Sequence, residues 1–140
     1  MNYLLDTCLI SELAKSDPDK KVVDWVLSEN ETNFFVFVLT LGELHKGIEK
    51  LPESKEKQAL RIWVENDLKN RIHNRIIGID IRVSITWGKI QSIAWKIGKP
   101  MPAIDSLIAA TGIAHEMIVV TRNISDMEQS GVDLFKPWSE

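Results

Sequence analysis

A single cysteine, Cys8, stands among the 140 residues, which excludes an internal disulfide framework and fits a reducing, cytoplasmic setting. Long apolar runs are missing as well. None approaches the roughly 18 residues that a membrane span requires, so no membrane association is expected. The opening segment, residues 1–6, has neither a basic region nor an extended apolar stretch, and a secretory signal is not expected. The three histidines, His45, His73 and His115, show no metal-ligand spacing and have no paired cysteine, which argues against zinc. Gly42, Gly47 and Gly112 form no phosphate-cradling motif, and there is no P-loop. Positive charge is not in excess either: the formal net charge is −3. Nucleic acid is therefore not held by charge alone, although carboxylates that bind cations would themselves contribute negative charge.

What is present is an ordinary globular composition, 44% hydrophobic and 26% charged, in one domain spanning residues 1–140 with no repeat, low-complexity stretch or linker. Residues 2–5 read as a short buried strand, and 8–15 as a short helix capped by Asp6 or Thr7. Asp17-Pro18 reads as an N-cap followed by proline at the first helical position, with Val22, Val23, Val26 and Leu27 at helical spacing. Residues 34–38, Phe-Phe-Val-Phe-Val, give the strongest strand signal, apolar on both faces as in a central parallel strand. Thr40 is expected to open a helix ending near Gly47. A longer helix after Pro52 puts Leu60, Trp63, Val64, Leu68 and Ile72 on one face. Residues 75–79 form a third strand, and Asp80 caps a helix with Val83, Trp87, Ile90, Ala94 and Ile97 on a stripe. Gly98-Lys99-Pro100 ends that helix, Pro102 starts another running to about His115, and strands follow at 118–121 and 132–135. Strands alternating with helices argue for a parallel sheet covered on both faces. Two helices between the second and third strands depart from a plain βα repeat.

Four acidic residues fall where strands end or helices begin: Asp6, Glu43, Asp105 and Asp126. In an open α/β sheet those positions converge on one edge. Carboxylates gathered there repel one another and raise each other's pKa unless a cation compensates, and hard oxygen donors select Mg²⁺ or Mn²⁺. Each residue also has a plain structural reading. Asp6 can serve as a helix cap. Thr40-x-x-Glu43 has the form of a capping box, the favoured reading of Glu43 on local grounds. Asp105, one turn past Pro102, complements a helix dipole, but its apolar neighbours Ile104, Leu107 and Ile108 imply incomplete solvation. Asp126 follows a polar loop, Thr121-Arg122-Asn123, which supplies a hydroxyl, a cation and an amide suited to phosphate or metal-bound water.

The remaining features have plainer readings. Cys8 reads as a small buried apolar residue. Trp63, Trp87 and Trp95 belong to the core or a subunit interface. Lys69, Arg71, Arg75 and Arg82 read as a solvated helix face with ordinary ion pairs.

The segments around the acids resemble the motifs of PIN domains. Residues 4–13, Leu-Leu-Asp-Thr-Cys-Leu-Ile-Ser-Glu-Leu, are similar to the opening motif; Gly42-Glu43-Leu44 with Gly47 to the second; residues 105–111 with Ala114 to the third; and Val120-Thr121-Arg122-Asn123 with Asp126, Gly131 and Pro137-Trp138 to the fourth motif and tail. The motifs run in order across nearly the whole chain and are nearest to the VapC toxins of toxin–antitoxin pairs. The resemblance implies a PIN-like three-layer α/β/α fold with a mainly parallel sheet of four to five strands and a homodimer. It also implies a Mg²⁺- or Mn²⁺-dependent endoribonuclease acting on tRNA or another structured RNA, inhibited by a cognate VapB-like antitoxin. By position, Asp6, Glu43, Asp105 and Asp126 would form the acidic site, with Thr7 and Thr121 as supporting hydroxyls. Met127 stands where the family usually has an aromatic residue. Asn123 stands where some relatives carry an acid, so whether Asn123 or Asp126 completes the site stays open.

The chemistry expected is metal-assisted hydrolysis, with Asp6 and Asp105 as direct metal ligands, Glu43 and Asp126 completing the shell or orienting water, and Arg122 on a phosphate. Loss of the carboxylate at Asp6 or Asp105 should relieve repulsion and leave the metal-free protein at least as stable. An antitoxin segment is expected across the face near residues 8–15 and 40–65, inserting a basic side chain at the acids and anchored on Leu9, Leu13 and Trp63. Two alternatives are a DNA-cutting relative and a receiver-type signalling domain built on Asp6, Asp80, Thr121 and Lys136-Pro137. Against the receiver stand Thr7, where an acidic pair is wanted after the first strand, and the two-helix insertion.

Overall fold

The computed structural model describes residues 1–138. Five strands form one parallel sheet: β1 (Tyr3–Leu5), β2 (Phe34–Phe37), β3 (Ile76–Ile77), β4 (Ile118–Val120) and β5 (Leu134–Phe135), in the order β3-β2-β1-β4-β5. Leu5 of β1 pairs with Val36 on one side and Val120 on the other. The chain therefore runs outward from β1 through β2 to β3, then crosses back to β4. The switch point lies between β1 and β4, and the crevice beyond their carboxyl ends is the natural place for a site. A flavodoxin-like receiver has the order 2-1-3-4-5; the order here removes the receiver alternative.

Helices cover both faces. α1 (Thr7–Leu13), α2 (Lys20–Ser28) and α3 (Val38–Glu49) are followed by α4 (Lys55–Ile62), a π-helical stretch (Trp63–Leu68) and α5 (Lys69–Arg71); α6 (Ile81–Lys96) and α7 (Ala103–Ala114) precede β4. Side chains of β1 alternate between the two cores, as the two-residue period of a strand requires. Tyr3 and Leu5 pack with Leu9, Ile10, Val22 and Val36, while Leu4 packs with Phe37, Val83, Ile108 and Val119. Each fully buried aliphatic side chain contributes about 1.5–3 kcal/mol. Gly112 lets α7 lie close on the sheet, since a Cβ there would meet Val119 Cγ2 and Val132 Cγ2 at 2.8 Å.

Several local expectations are corrected. α2 is capped not by Asp17 but by Asp19, whose carboxylate accepts from Lys21 N and Val22 N at 2.9 and 3.3 Å, leaving Pro18 ahead of the cap. α3 begins at Val38, directly from β2, with no side-chain cap, and runs to Glu49. Thr40 thus lies inside the helix, fully buried, with its hydroxyl unpartnered, and the capping box with Glu43 does not form. The third and fifth strands are shorter than expected, and Ile97 is exposed. Trp95 is 82% exposed and is no part of the core. Asp80 does cap α6, accepting from Val83 N at 2.8 Å, and Gly98 (φ 70°) ends it in the left-handed region open to glycine. Of the basic residues, Arg71 forms an ion pair with the distant Glu31, whereas Arg75 lies beyond the helix and donates Nε to the Phe34 backbone carbonyl at 2.8 Å, so it is not part of an ion-paired helix face.

Candidate active site

Asp6 leaves β1 and caps α1, so its carboxylate is held where the two central strands end. It is 6% exposed. Oδ1 accepts from Thr7 N at 2.6 Å and Oδ2 from Thr121 Oγ1 at 2.7 Å, while Asp6 N donates to the Val120 carbonyl at 3.1 Å. Thr121 follows β4 directly, so one hydrogen bond spans the switch point. Thr7 donates from Oγ1 to Glu43 Oε1 at 2.6 Å. α3 starting two residues before Thr40 is what carries Glu43 to this edge.

Asp105 occupies the first turn of α7. Its carboxyl is raised to about 6, first by burial and then by the charges of Asp6, Asp126 and Glu43. All four sequence-identified acids therefore share one electrostatic field, although they come from four separate chain segments. Asp126 sits in an exposed 3₁₀ turn (Ile124–Asp126) whose backbone closes on Asn123. Asn123 itself donates its backbone N–H to Thr121 Oγ1 at 3.1 Å. The chemistry of this donor set fits a hard divalent cation: oxygen ligands only, and a carboxyl that burial and then the neighbouring acids drive towards neutrality. Among the described residues, no three His, Cys, Asp or Glu side chains close into a ready-made metal cage.

Cys8 is not the inert core residue expected. Half-buried, its thiol donates to Asp6 Oδ2 at 3.4 Å, lies 3.5 Å from Thr121 Oγ1 and accepts from Arg122 N at 3.3 Å. Burial and the charge of Asp6 push it up to about 11, so it stays a thiol at neutral pH. Glu12 was also unforeseen. Only 6% exposed, it accepts from Asp19 N at 3.0 Å, from Lys15 Nζ at 3.1 Å and from Trp138 Nε1 at 3.1 Å, and these bonds hold its carboxyl below the usual range. A charged residue between Leu9, Ile10 and Leu13 was the available sign.

Two apolar grooves flank α1. One is lined by Ile10, Leu13, Val26, Trp63 and Ile72; the other by Ala14, Leu44, Ile48, Leu60 and Trp63, and it reaches Glu43. Leu13 and Trp63 are available there as anchors, but Leu9 is fully buried and is not.

The PIN domain family matches residues 3–127. The chain is 32% identical to toxin FitB of Neisseria gonorrhoeae over 98% of its length and 99% of that protein. It is 30% identical to VapC ribonuclease Y4jK of Sinorhizobium fredii over 96% of each chain. Among solved structures, FitAcB from Neisseria gonorrhoeae superposes with a TM-score of 0.92 at 32% identity, covering 99% of both chains.

Proposed function

Since the chain belongs to the PIN domain family, we propose that it is a VapC-type toxin ribonuclease, a Mg²⁺- or Mn²⁺-dependent endoribonuclease held in check by a cognate antitoxin. The observation that carries this reading is the raised carboxyl of Asp105 facing Asp6, Glu43 and Asp126 at the switch point. Similarity to a VapC ribonuclease and to toxin FitB supports the same class.

Asp6 and Asp105 would hold the ion, with Glu43 and Asp126 completing its surroundings or orienting water. When bound, such an ion makes water nucleophilic near neutral pH and offsets negative charge on the phosphate and the leaving oxygen. The protein's own part is to fix the acids. Thr121 and Thr7, each by one short hydrogen bond, set the orientation of Asp6 and Glu43. Arg122 places a cation on the same loop as Thr121, suited to a phosphate of a structured RNA such as tRNA.

The partner reading draws on the groove that reaches Glu43: an antitoxin segment seated on Leu13 and Trp63 would bring a basic side chain to the acids. A homodimer is supported by the exposed isoleucines of α6, Ile81, Ile85 and Ile93, together with Trp95.

The deciding assay incubates purified protein with tRNA and with RNA and DNA oligonucleotides, with Mn²⁺ or with chelator. RNA cleavage only with metal is expected. Cleavage of DNA alone would favour the DNA-cutting alternative, and a folded protein inert on RNA would overturn the reading. Co-expression with a small neighbouring gene should relieve growth arrest and yield a co-purifying complex. Glu43→Gln supplies a sharper check. Gln can still accept from Thr7, so the stability should stay within about 0.5 kcal/mol of wild type, while cleavage falls by at least about tenfold. Wild-type turnover would remove Glu43 from the site.

A further inference from the structure

Asp105 is held differently from its neighbours in the site. Asp6 is fixed by hydrogen bonds from Thr7 N and Thr121 Oγ1, and Glu43 by one from Thr7 Oγ1. Among the described residues, no hydrogen bond reaches the Asp105 carboxylate, so its position depends on the first turn of α7. That turn has no side-chain cap, since its N-cap residue is Pro102. A helix start without a cap leaves amides lacking acceptors and frays readily. The charges of Asp6, Asp126 and Glu43 also repel Asp105.

A buried polar cluster pins this turn instead. Ser106 is fully buried, and its hydroxyl is fully used: Oγ donates to the Ala103 carbonyl at 2.8 Å and accepts from Trp87 Nε1 at 3.0 Å and Gln91 Nε2 at 2.6 Å. Trp87 and Gln91 are four residues apart, on one face of α6. Gln91 Nε2 also donates to the Met101 carbonyl at 3.4 Å, so one side chain grips the chain on both sides of Pro102. Apolar contact alone would hold α7 against α6 without fixing its rotation. Directional bonds to Ser106, the residue after Asp105, set that rotation.

We propose that Ser106, held by Trp87 and Gln91, is a positioning residue that keeps Asp105 at the metal-binding edge, so that α6 belongs to the supporting structure of the site. This rests on the reading of the acidic cluster as a metal-dependent ribonuclease site. Carboxylates that repel one another move apart unless their backbones are fixed, and a ligand set fixed beforehand loses less on taking up an ion.

The test is calorimetric titration of the metal-free protein with Mn²⁺, well below each variant's melting midpoint, together with KM and kcat for RNA cleavage. Ser106→Ala is expected to weaken Mn²⁺ binding about tenfold, with KM for RNA at saturating Mn²⁺ within about twofold of wild type. Ser106→Cys keeps a weaker donor and acceptor in the same place and should fall between. Gln91→Met should weaken Mn²⁺ binding about fivefold, and it carries the test if Ser106→Ala does not fold. Ile72→Ala, in the opposite core beside the edge strand β3, should lower the melting temperature and leave Mn²⁺ binding unchanged. Wild-type Mn²⁺ affinity in Ser106→Ala and Gln91→Met would overturn the positioning role while leaving the ribonuclease reading intact. Equal weakening in Ile72→Ala would do the same, because general loss of stability would then explain the effect. A wild-type protein that neither binds Mn²⁺ nor cuts RNA would instead remove the ribonuclease reading, and this inference with it.

Discussion

Asp105→Asn is expected to lower metal-dependent RNA cleavage by at least about a hundredfold while making the metal-free protein more stable at neutral pH. The two effects have one cause. Asp105 is raised from 3.8 to about 6 by burial and by three neighbouring acids, so its ionised form is disfavoured in the folded chain. Between those values the folded state binds more protons than the unfolded state, and stability falls as pH rises through the window. The penalty is absent below about pH 4 and complete above about pH 6. A two-unit shift corresponds to roughly 3 kcal/mol, but Asp105 is only half-buried and water screens it, leaving about 1 kcal/mol. Asparagine removes the ionisation, so the variant should melt about 3 °C above wild type at pH 7 and level with it at pH 4. Added Mn²⁺ should stabilise wild type more than the variant. Equal melting at both pH values, or retained cleavage, would separate Asp105 from the cluster.

Asp6→Asn should behave differently, against the expectation that either acid could be removed without loss. Its carboxylate accepts from Thr7 N, Thr121 Oγ1 and Cys8 Sγ, and it caps α1. An amide can serve fewer of these donors, so the relief of repulsion is offset by lost hydrogen bonds. The sequence placed Asp6 at the edge; it did not show how many donors converge on it, because Thr121 is 115 residues away.

The alternation of strands and helices was legible because each strand is short, apolar and bounded by polar or helix-start residues. The convergence of the four acids was legible for the same reason: each follows a strand or opens a helix. Glu43 was misread locally. Thr40 and Glu43 have the spacing of a capping box, but β2 runs into α3 without a break, so the helix starts earlier and Glu43 turns to Thr7. Tertiary continuity prevailed over a local motif. Asp17-Pro18 failed in a similar way. The cap moved to Asp19, whose backbone N–H is held by Glu12, and no rule of local spacing reports a partner on another helix. The π-helical turn between α4 and α5 carries no breaker in its sequence and could not be foreseen.

Glu12→Ala is expected to destabilise the protein strongly while leaving all four acids in place. The Glu12 carboxylate is buried, and it joins three elements: α1, which bears it; the start of α2, through Asp19 N; and the C-terminal segment, through Trp138 Nε1. Removing it leaves the buried Trp138 N–H without its acceptor, takes the Glu12 oxygen from the half-buried Asp19 N–H and deprives Lys15 of its partner. Each buried donor left unsatisfied costs about 1–3 kcal/mol, and a broken buried charge network about 3–5. Because the Lys15 ion pair is partly solvated, the lower figure applies, about 3 kcal/mol, or roughly 10 °C in melting temperature. The pH dependence follows from the lowered carboxyl. A depressed folded-state pKa contributes stability that is present above the unfolded value and lost as pH falls through the folded one. The gap between wild type and Glu12→Ala should therefore be widest at neutral pH and narrow in acid, opposite in sense to the pH trend of Asp105. Glu12→Gln, which retains an oxygen for Trp138 but places an amide against Asp19 N or Lys15, should recover part of the loss. Melting curves of both variants from pH 4 to 7 decide the matter. A gap that does not change with pH would mean that volume rather than the carboxylate holds the three segments together.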